Sequence, residues 1–481
     1  MNTPAAAFSQ PRGRMADAAN PPDVPSTEET NGRIARAVIE LSFVAAILLA
    51  VAGFGGNEPL SWSISQDLVF ATAIAMLLRN REAKRNSRRI KPGSVALSAL
   101  ALWVFAQWAA SRYGFIGFDS YAIKFRGLAL ATAATGFFIA LELSRNRAVR
   151  NRLSLSLISL ALFESLYGLA QNPGGWQYIW TYRRVYYTGS ATGTYINHNH
   201  FAGLLEMILP TGLALALYHW SKAGPTLPKL GRGFRGLLAR TGSPEILKSI
   251  VLLLIATAVF VAIAFSLSRM GLTSALFSVM LLGALIYGGR RVSNVNWKLL
   301  LACVGISVVV AAWIGAGPVM EHFTSLSNSN SLTGGEGEGR LPLWRDAAKL
   351  IRAHPITGIG LGCFEVAFTQ YQSTELTLNI DHAHNDYLEL AAEIGIPAAA
   401  TVFALILSIL GRAARASFRT KSRRDQAIGF GAIAGASALL VHGVVDFNFY
   451  IPANALVFAV ILGVSYSLVP EERAGRRQLM H

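Results

Sequence analysis

Cysteine is nearly absent, two residues in 481. Cys303 falls inside an apolar run and Cys363 in a polar loop, so there is no disulfide framework and both read as structural residues. Charge is scarce too: 15% of the chain, against roughly 25% in an average soluble domain. That shortage argues against a set of ordinary soluble domains, although the length alone would allow two or three. No repeat of fixed period is evident, nor an inverted pair of broken helices of the transporter kind. The first 33 residues lack an apolar core, so they read as a disordered cytoplasmic tail rather than a signal peptide.

What is abundant is apolar sequence, 52% of the residues, in runs long enough to span lipid. A crossing of roughly 30 Å needs about 20 residues at 1.5 Å each. Twelve runs qualify, at 37–56, 63–79, 94–111, 127–144, 153–171, 200–220, 248–267, 271–289, 298–317, 387–411, 427–446 and 450–469. The tenth is long enough to tilt or to begin outside the membrane. The expected architecture is an all-α polytopic bundle of about 12 transmembrane helices with a large periplasmic loop containing short helices. Its parts are a cytoplasmic tail (1–33), membrane helices 1–9 (34–317), a periplasmic loop (318–386), membrane helices 10–12 (387–470) and a second tail (471–481).

The net charge of +16 would suit nucleic acid, but the Lys and Arg residues sit in short clusters between apolar runs, the pattern of membrane loops. With the N-terminus inside, the inside segments carry 33 of the 43 basic residues. The positive-inside rule then places both termini in the cytoplasm. Of the ten cations left outside, Arg112, Lys124 and Arg126 read as ordinary loop charge. The others are Arg183, Arg184, Arg269, Arg340, Arg345, Lys349 and Arg352, and they lie in or beside three polar motifs.

The longest outside segment runs from about Gly317 to Asp386. In 341–352, Trp344, Ala347, Ala348 and Ile351 fall at i, i+3, i+4 and i+7, which predicts an amphipathic helix on the membrane surface or capping the bundle, ended by His354-Pro355. Gly358-Ile-Gly-Leu-Gly362 follows a helix rather than a strand, so it reads as tight backbone packing near a ligand, not as dinucleotide binding. Next comes Asp381-His-Ala-His-Asn-Asp-Tyr-Leu-Glu389, then Glu393-Ile-Gly395. His382 and His384 lack a third metal ligand at usual spacing, so a general base oriented by Glu389 or Asp386 is favoured over a metal site. A second motif spans Arg183 to Gly203 and contains Asn197-His198-Asn199-His200. The third is the short turn Ser268-Arg269-Met-Gly271, where a guanidinium could grip phosphate oxygens in bidentate fashion.

Together these stretches resemble the O-antigen ligase/polymerase superfamily of bacterial inner membranes. The resemblance rests on Gly193-Thr-Tyr-Ile-Asn-His-Asn-His-Phe-Ala-Gly203, Ser268-Arg269, Gly358–Phe364, His382–Leu388, Glu393–Gly395 and Asp446-Phe-Asn448 with Pro452-Ala453. It implies a GT-C-like helical membrane fold and an inverting, metal-independent glycosyltransferase that needs no cofactor. The implied donor is a glycan on undecaprenyl diphosphate. The acceptor is a glycolipid, either lipid A-core for a ligase or a growing lipid-linked chain for a polymerase. The resemblance maps a catalytic base onto His384 and a phosphate-binding cation onto Arg269. A second cation falls on Arg184 or Arg183, and His198 stands where several relatives carry Arg. Asn197, Asn199 and Asn385 are candidates to hold sugar hydroxyls, and His382, Tyr387, Arg340 and Arg345 complete the expected substrate-binding set. Two alternatives remain open: a flippase for the same lipids, using Glu142, Glu164 or Glu206 within the bilayer, and a metallohydrolase using His382 and His384.

Overall fold

The computed structural model describes residues 27–83, 94–114, 119–172, 174–223, 243–289, 305, 340–373 and 380–470. Among them the secondary structure is almost wholly helical. In chain order the helices are α1 (Thr27–Ala52), α2 (Pro59–Ala83), α3 (Ser94–Arg112), α4 (Ser120–Ser144), α5 (Arg147–Gln171), α6 (His198–Ala223), α7 (Pro244–Phe265) and α8 (Arg269–Gly288). They continue as α9 (Arg340–Ala353), α10 (Phe364–Phe368), α11 (Asp386–Ile394), α12 (Ile396–Arg419), α13 (Arg423–His442) and α14 (Pro452–Tyr466). The one sheet among the described residues is a two-stranded hairpin, β1 (Tyr178–Ile179) and β2 (Tyr182–Arg183). Nine described helices, α1 to α8 and α12, are long and apolar enough to cross a membrane. The chain is a multi-pass membrane protein. Apart from residue 305, the expected span at 298–317 lies outside the described residues, as do the Ser-Asn-Gly segment 325–339 and residues 1–26 and 471–481.

Two boundaries differ from expectation. α1 begins at Thr27, within the stretch read as a disordered tail. The run at 387–411 is not one helix. It breaks at Gly395 (φ +81, ψ 156), which separates the short α11 from the long α12. A Cβ at Gly395 would lie 2.0 Å from the Ile356 carbonyl oxygen, so only glycine fits.

α6 is the axis of the bundle, buried along almost its whole length, as expected of a helix apolar on all sides. α13 packs on it antiparallel through Gly431 and Gly435, spaced four apart. A Cβ at Gly435 would stand 1.9 Å from the Met207 carbonyl, and one at Gly431 would stand 2.5 Å from Thr211 Cα. Small residues at this spacing let membrane helices approach backbone to backbone. α7 and α8 flank α6, and α14 packs against α4. The peripheral α3 and α12 bury little, and large apolar side chains such as Leu102, Phe105 and Leu407 point outward, as lipid contact requires.

The bundle has two chemically distinct ends. At one, Arg150 and Arg147 pair with Asp425 at 2.7 and 3.4 Å, and Glu245 gathers His219, Lys222 and Lys248. At the other, the starts of α6, α8 and α14 meet the finishes of α7 and α13, and α9 to α11 form a cap. The amphipathic helix predicted at 341–352 is α9. It buries Leu343, Ala347, Leu350 and Ile351 against Ile123, Phe364 and Phe368, with Trp344 partly buried, and so caps the bundle.

Candidate functional site

The capping end is built from carbonyls that a helix terminus leaves free. At the finish of α11 the glycine segment supplies donors: Ile359 N to Ala392 O at 3.0 Å and Gly360 N to Glu393 O at 2.9 Å. Gln107 Nε2 adds bonds to Glu393 O (2.9 Å) and Thr357 O (2.7 Å), and Trp103 Nε1 bonds Ile394 O at 3.0 Å. Gly358, Gly360 and Gly362 all have positive φ, and a Cβ at Gly358 would sit 2.2 Å from Glu393 O. The triplet is thus a backbone clamp on α11, consistent with tight packing. Cys363 is buried there, its Sγ donating to Asp119 O at 3.5 Å, and burial pushes the thiol up to about 12.

The start of α11 carries the histidines. Asn385 caps it, its Oδ1 accepting from Tyr387 N and Leu388 N at 3.0 Å each, while its Nδ2 donates to Val444 O at 2.7 Å. The amide is therefore occupied by backbone. Tyr387 is likewise occupied: its hydroxyl donates to Leu440 O at 2.7 Å and its ring stacks on Phe403. Asp386 N reaches Gly443 O (2.8 Å) and Asp446 O (3.0 Å), which ties α11 to the finish of α13. Burial drives the Asp386 carboxyl well above the usual range, with Glu389 and Asp446 adding to the shift.

The two histidines of the motif divide the work. His382 Nδ1 lies 2.5 Å from Glu389 Oε1, and its ring stacks on Phe447 with centroids 4.0 Å apart. Burial opposes its charge, but the Glu389 carboxylate outweighs that and raises His382 above its ordinary value. Glu389 also accepts from Ala383 N at 2.8 Å, so it is committed to His382 rather than His384. Glu393 accepts from the Tyr450 hydroxyl at 2.6 Å, and burial raises it to about 7. Arg126, read from sequence as ordinary loop charge, bonds Tyr450 O at 2.7 Å and reaches His382 and Glu393 electrostatically.

His384 differs on every count. Its side chain is 35% exposed, and its Nδ1 faces Asp446 Oδ1 at 3.7 Å, an ion-pair distance too long for a hydrogen bond. Its partner is therefore Asp446, not Glu389 or Asp386. Asp446 is buried, which opposes its charge, yet the His384, His200 and His442 imidazoles hold it well below the usual carboxylate range. His384 also has a left-handed backbone, φ +47. That conformation costs a non-glycine residue roughly 1–2 kcal/mol and persists only where the surroundings impose it.

Arg269 reaches the same end. Ser268 Oγ accepts from Gly271 N at 3.1 Å and caps α8, so the guanidinium starts from a helix N-terminus, where the dipole favours anions. Gly271 lies against Ala202 in the first turn of α6. Two residues earlier on α6, His200 packs edge-on to Phe447 with centroids 4.6 Å apart, and Phe447 also meets His384 edge-on at 4.9 Å. The Nε of Arg269 is buried without a hydrogen-bond partner among the described residues. Arg340, opening α9, lies within electrostatic reach of His442 at this same end.

The remaining expected residues serve other ends. Arg184 is buried, and its guanidinium donates to Ser190 O and Thr192 Oγ1 at 2.9 Å each and to Gln177 Oε1, which makes it a clamp on its own loop. Arg183 and Arg345 are exposed. Asn197 Oδ1 accepts from Asn199 N at 2.8 Å, starting α6, and His198 Nδ1 meets Ser266 O while its ring lies tilted against Tyr187. Among the flippase candidates, Glu142 pairs with Arg145 at the basic end and Glu164 accepts from Thr194 N and Oγ1. Among the described residues, no three His, Cys, Asp or Glu side chains group to hold a metal ion.

Residues 251–403, from α7 into α12, match the family described as O-antigen ligase. Over that stretch the chain is similar to O-antigen ligases. No curated protein matches it. An O-antigen ligase domain of this kind supports a ligase- or polymerase-type activity in a membrane, and the matched stretch contains Arg269, Arg340, His382, His384 and the α11 clamp.

Proposed function

We propose that this protein is an inverting glycosyltransferase that moves a glycan from undecaprenyl diphosphate to a glycolipid acceptor, lipid A-core or a growing lipid-linked chain, on the periplasmic face of the bacterial inner membrane. The observation that carries the reading is the half-exposed His384 backed by the buried Asp446 at the bundle end that also holds the unpartnered Nε of Arg269. Nδ1 of His384 faces the carboxylate, which leaves Nε2 to take the acceptor hydroxyl proton. The acceptor oxygen then attacks the anomeric carbon as its bond to the diphosphate breaks, and the electron pair leaves on the diphosphate oxygen. Arg269 and Arg340 offset that growing charge. One displacement inverts the anomeric centre. A lipid-borne donor accounts for a catalyst embedded among helices whose outer faces are apolar. The basic clusters of the opposite end support a cytoplasmic placement for it by the positive-inside rule.

Deletion of the gene followed by glycolipid analysis tests this reading. A ligase leaves undecorated lipid A-core, and a polymerase leaves single repeat units that never lengthen. Unchanged glycolipids of every class would remove the proposal. With arginines meeting the leaving group, transfer by purified protein is expected to survive EDTA. Loss of activity that a divalent ion restores would favour metal chemistry instead.

A further inference from the structure

The proposed transfer leaves one buried ionisable pair unused. Glu206, about two turns into α6, and His442, the last residue of α13, are both fully enclosed, with His442 Nδ1 at 3.0 and 3.1 Å from the two carboxylate oxygens of Glu206. Ionisable groups inside a membrane bundle are expensive to keep and mark function by default. Packing does not call for this pair, since Gly431 and Gly435 already bring α13 against α6. The chain of contacts continues outward. His442 Nε2 faces Asp446 Oδ2 at 3.7 Å, and Asp446 Oδ1 faces His384 Nδ1 at 3.7 Å. One carboxylate therefore stands between two imidazoles at the same distance from each, with no hydrogen bond committing it to either.

We infer that the Glu206–His442 pair sets how strongly Asp446 holds a protonated His384, which makes Glu206 and His442 positioning residues for the base of the proposed transfer. The inference rests on that reading of His384. An imidazolium at 442, held by Glu206, competes with His384 for Asp446. Without the carboxylate at 206, an enclosed imidazole gives up its charge, and Asp446 is left wholly to His384. Other charged or titratable groups facing this line are Arg340 from α9 toward His442, His200 from α6 toward Asp446 and His442, and Asp386 from α11 toward Asp446. His382, stacked on Phe447, acts on His200, and Glu389 from α11 acts on Asp386, so both also belong to the surroundings of this line.

The test reads the imidazole directly. Diethyl pyrocarbonate modifies neutral imidazoles, so the pH at which His384 is half-maximally labelled, followed by mass spectrometry of full-length protein in detergent, reports its proton. In Glu206→Gln and in His442→Gln that midpoint is expected to rise by about one pH unit, the size of a nearby charge effect at intermediate dielectric. Glu206→Asp, which keeps the charge, is expected to retain the wild-type midpoint. The acidic limb of the transfer rate should move with the labelling midpoint. A purely structural pair would lower the amount of folded protein and leave the midpoint where it was. A midpoint unchanged in whichever of the first two variants folds, or shifted equally in Glu206→Asp, overturns the inference. Should His384→Ala retain full transfer while the midpoints still shift, the coupling stands and the assignment of His384 as base falls.

Discussion

His384→Ala is expected to reduce glycan transfer by on the order of 10²–10⁴-fold, the usual worth of a positioned general base, while the protein still inserts and still binds lipid-linked donor. The geometry makes the effect specific to this histidine. His382 is committed to Glu389 and flattened on Phe447, and His200 is enclosed. Among the described histidines, only His384 combines a carboxylate behind it with a partly exposed ring. The left-handed backbone at 384 adds a control: His384→Asn tolerates that conformation better than Ala, so a backbone effect would leave Asn partly active, whereas loss of the base abolishes both. Transfer measured in membranes from a deletion strain, normalised to protein abundance, decides the matter. Wild-type rates for the alanine variant would remove His384 from the chemistry.

Arg269→Ala is expected to cost about 10²–10³-fold, as for other groups that stabilise charge only in the transition state. Arg269→Lys should recover part of this and no more, because an ammonium lacks the planar fork that holds two phosphate oxygens at once. The loss should fall on kcat, with donor affinity changing less. An equal loss in donor affinity and none in kcat would make Arg269 a docking cation rather than a catalytic one. Ser268 caps α8 independently of the guanidinium, so these substitutions leave the helix start intact.

Much of this was legible in the sequence because lipid imposes a strong pattern. Apolar run lengths gave helices close to their observed bounds, and the i, i+3, i+4, i+7 spacing located α9 to within about two residues at each end. The histidine motif and Arg269 stood out because polar residues at the ends of apolar runs demand a reason. What escaped were relations between distant residues. Asp446 behind His384, and Glu206 with His442, join positions 62 and 236 residues apart. No periodicity links such pairs, although a lone Glu in one apolar run and a His at the end of another were signals open to reading. Asn385, a polar side chain in the histidine motif, and Arg184, placed by the resemblance, were expected as substrate contacts. In the structure Asn385 bonds backbone, and Arg184 bonds Ser190 O and the side chains of Thr192 and Gln177, since a cap and a loop clamp draw on the same donor and acceptor chemistry as a sugar or phosphate contact. The break at Gly395 was hidden because both sides of it are apolar.

That break also separates two mechanical duties. α11 is pinned by Gln107, Trp103, the glycine triplet and the carbonyls of Gly443 and Asp446, all of them protein contacts. α12 presents mostly lipid-facing surface and begins after a residue whose backbone angles only glycine adopts freely. A helix in lipid leans to suit the thickness around it. The turn at Gly395 gives α12 a direction of its own, so the protein contacts of α11, and not the lie of α12 in lipid, place the imidazole at 384.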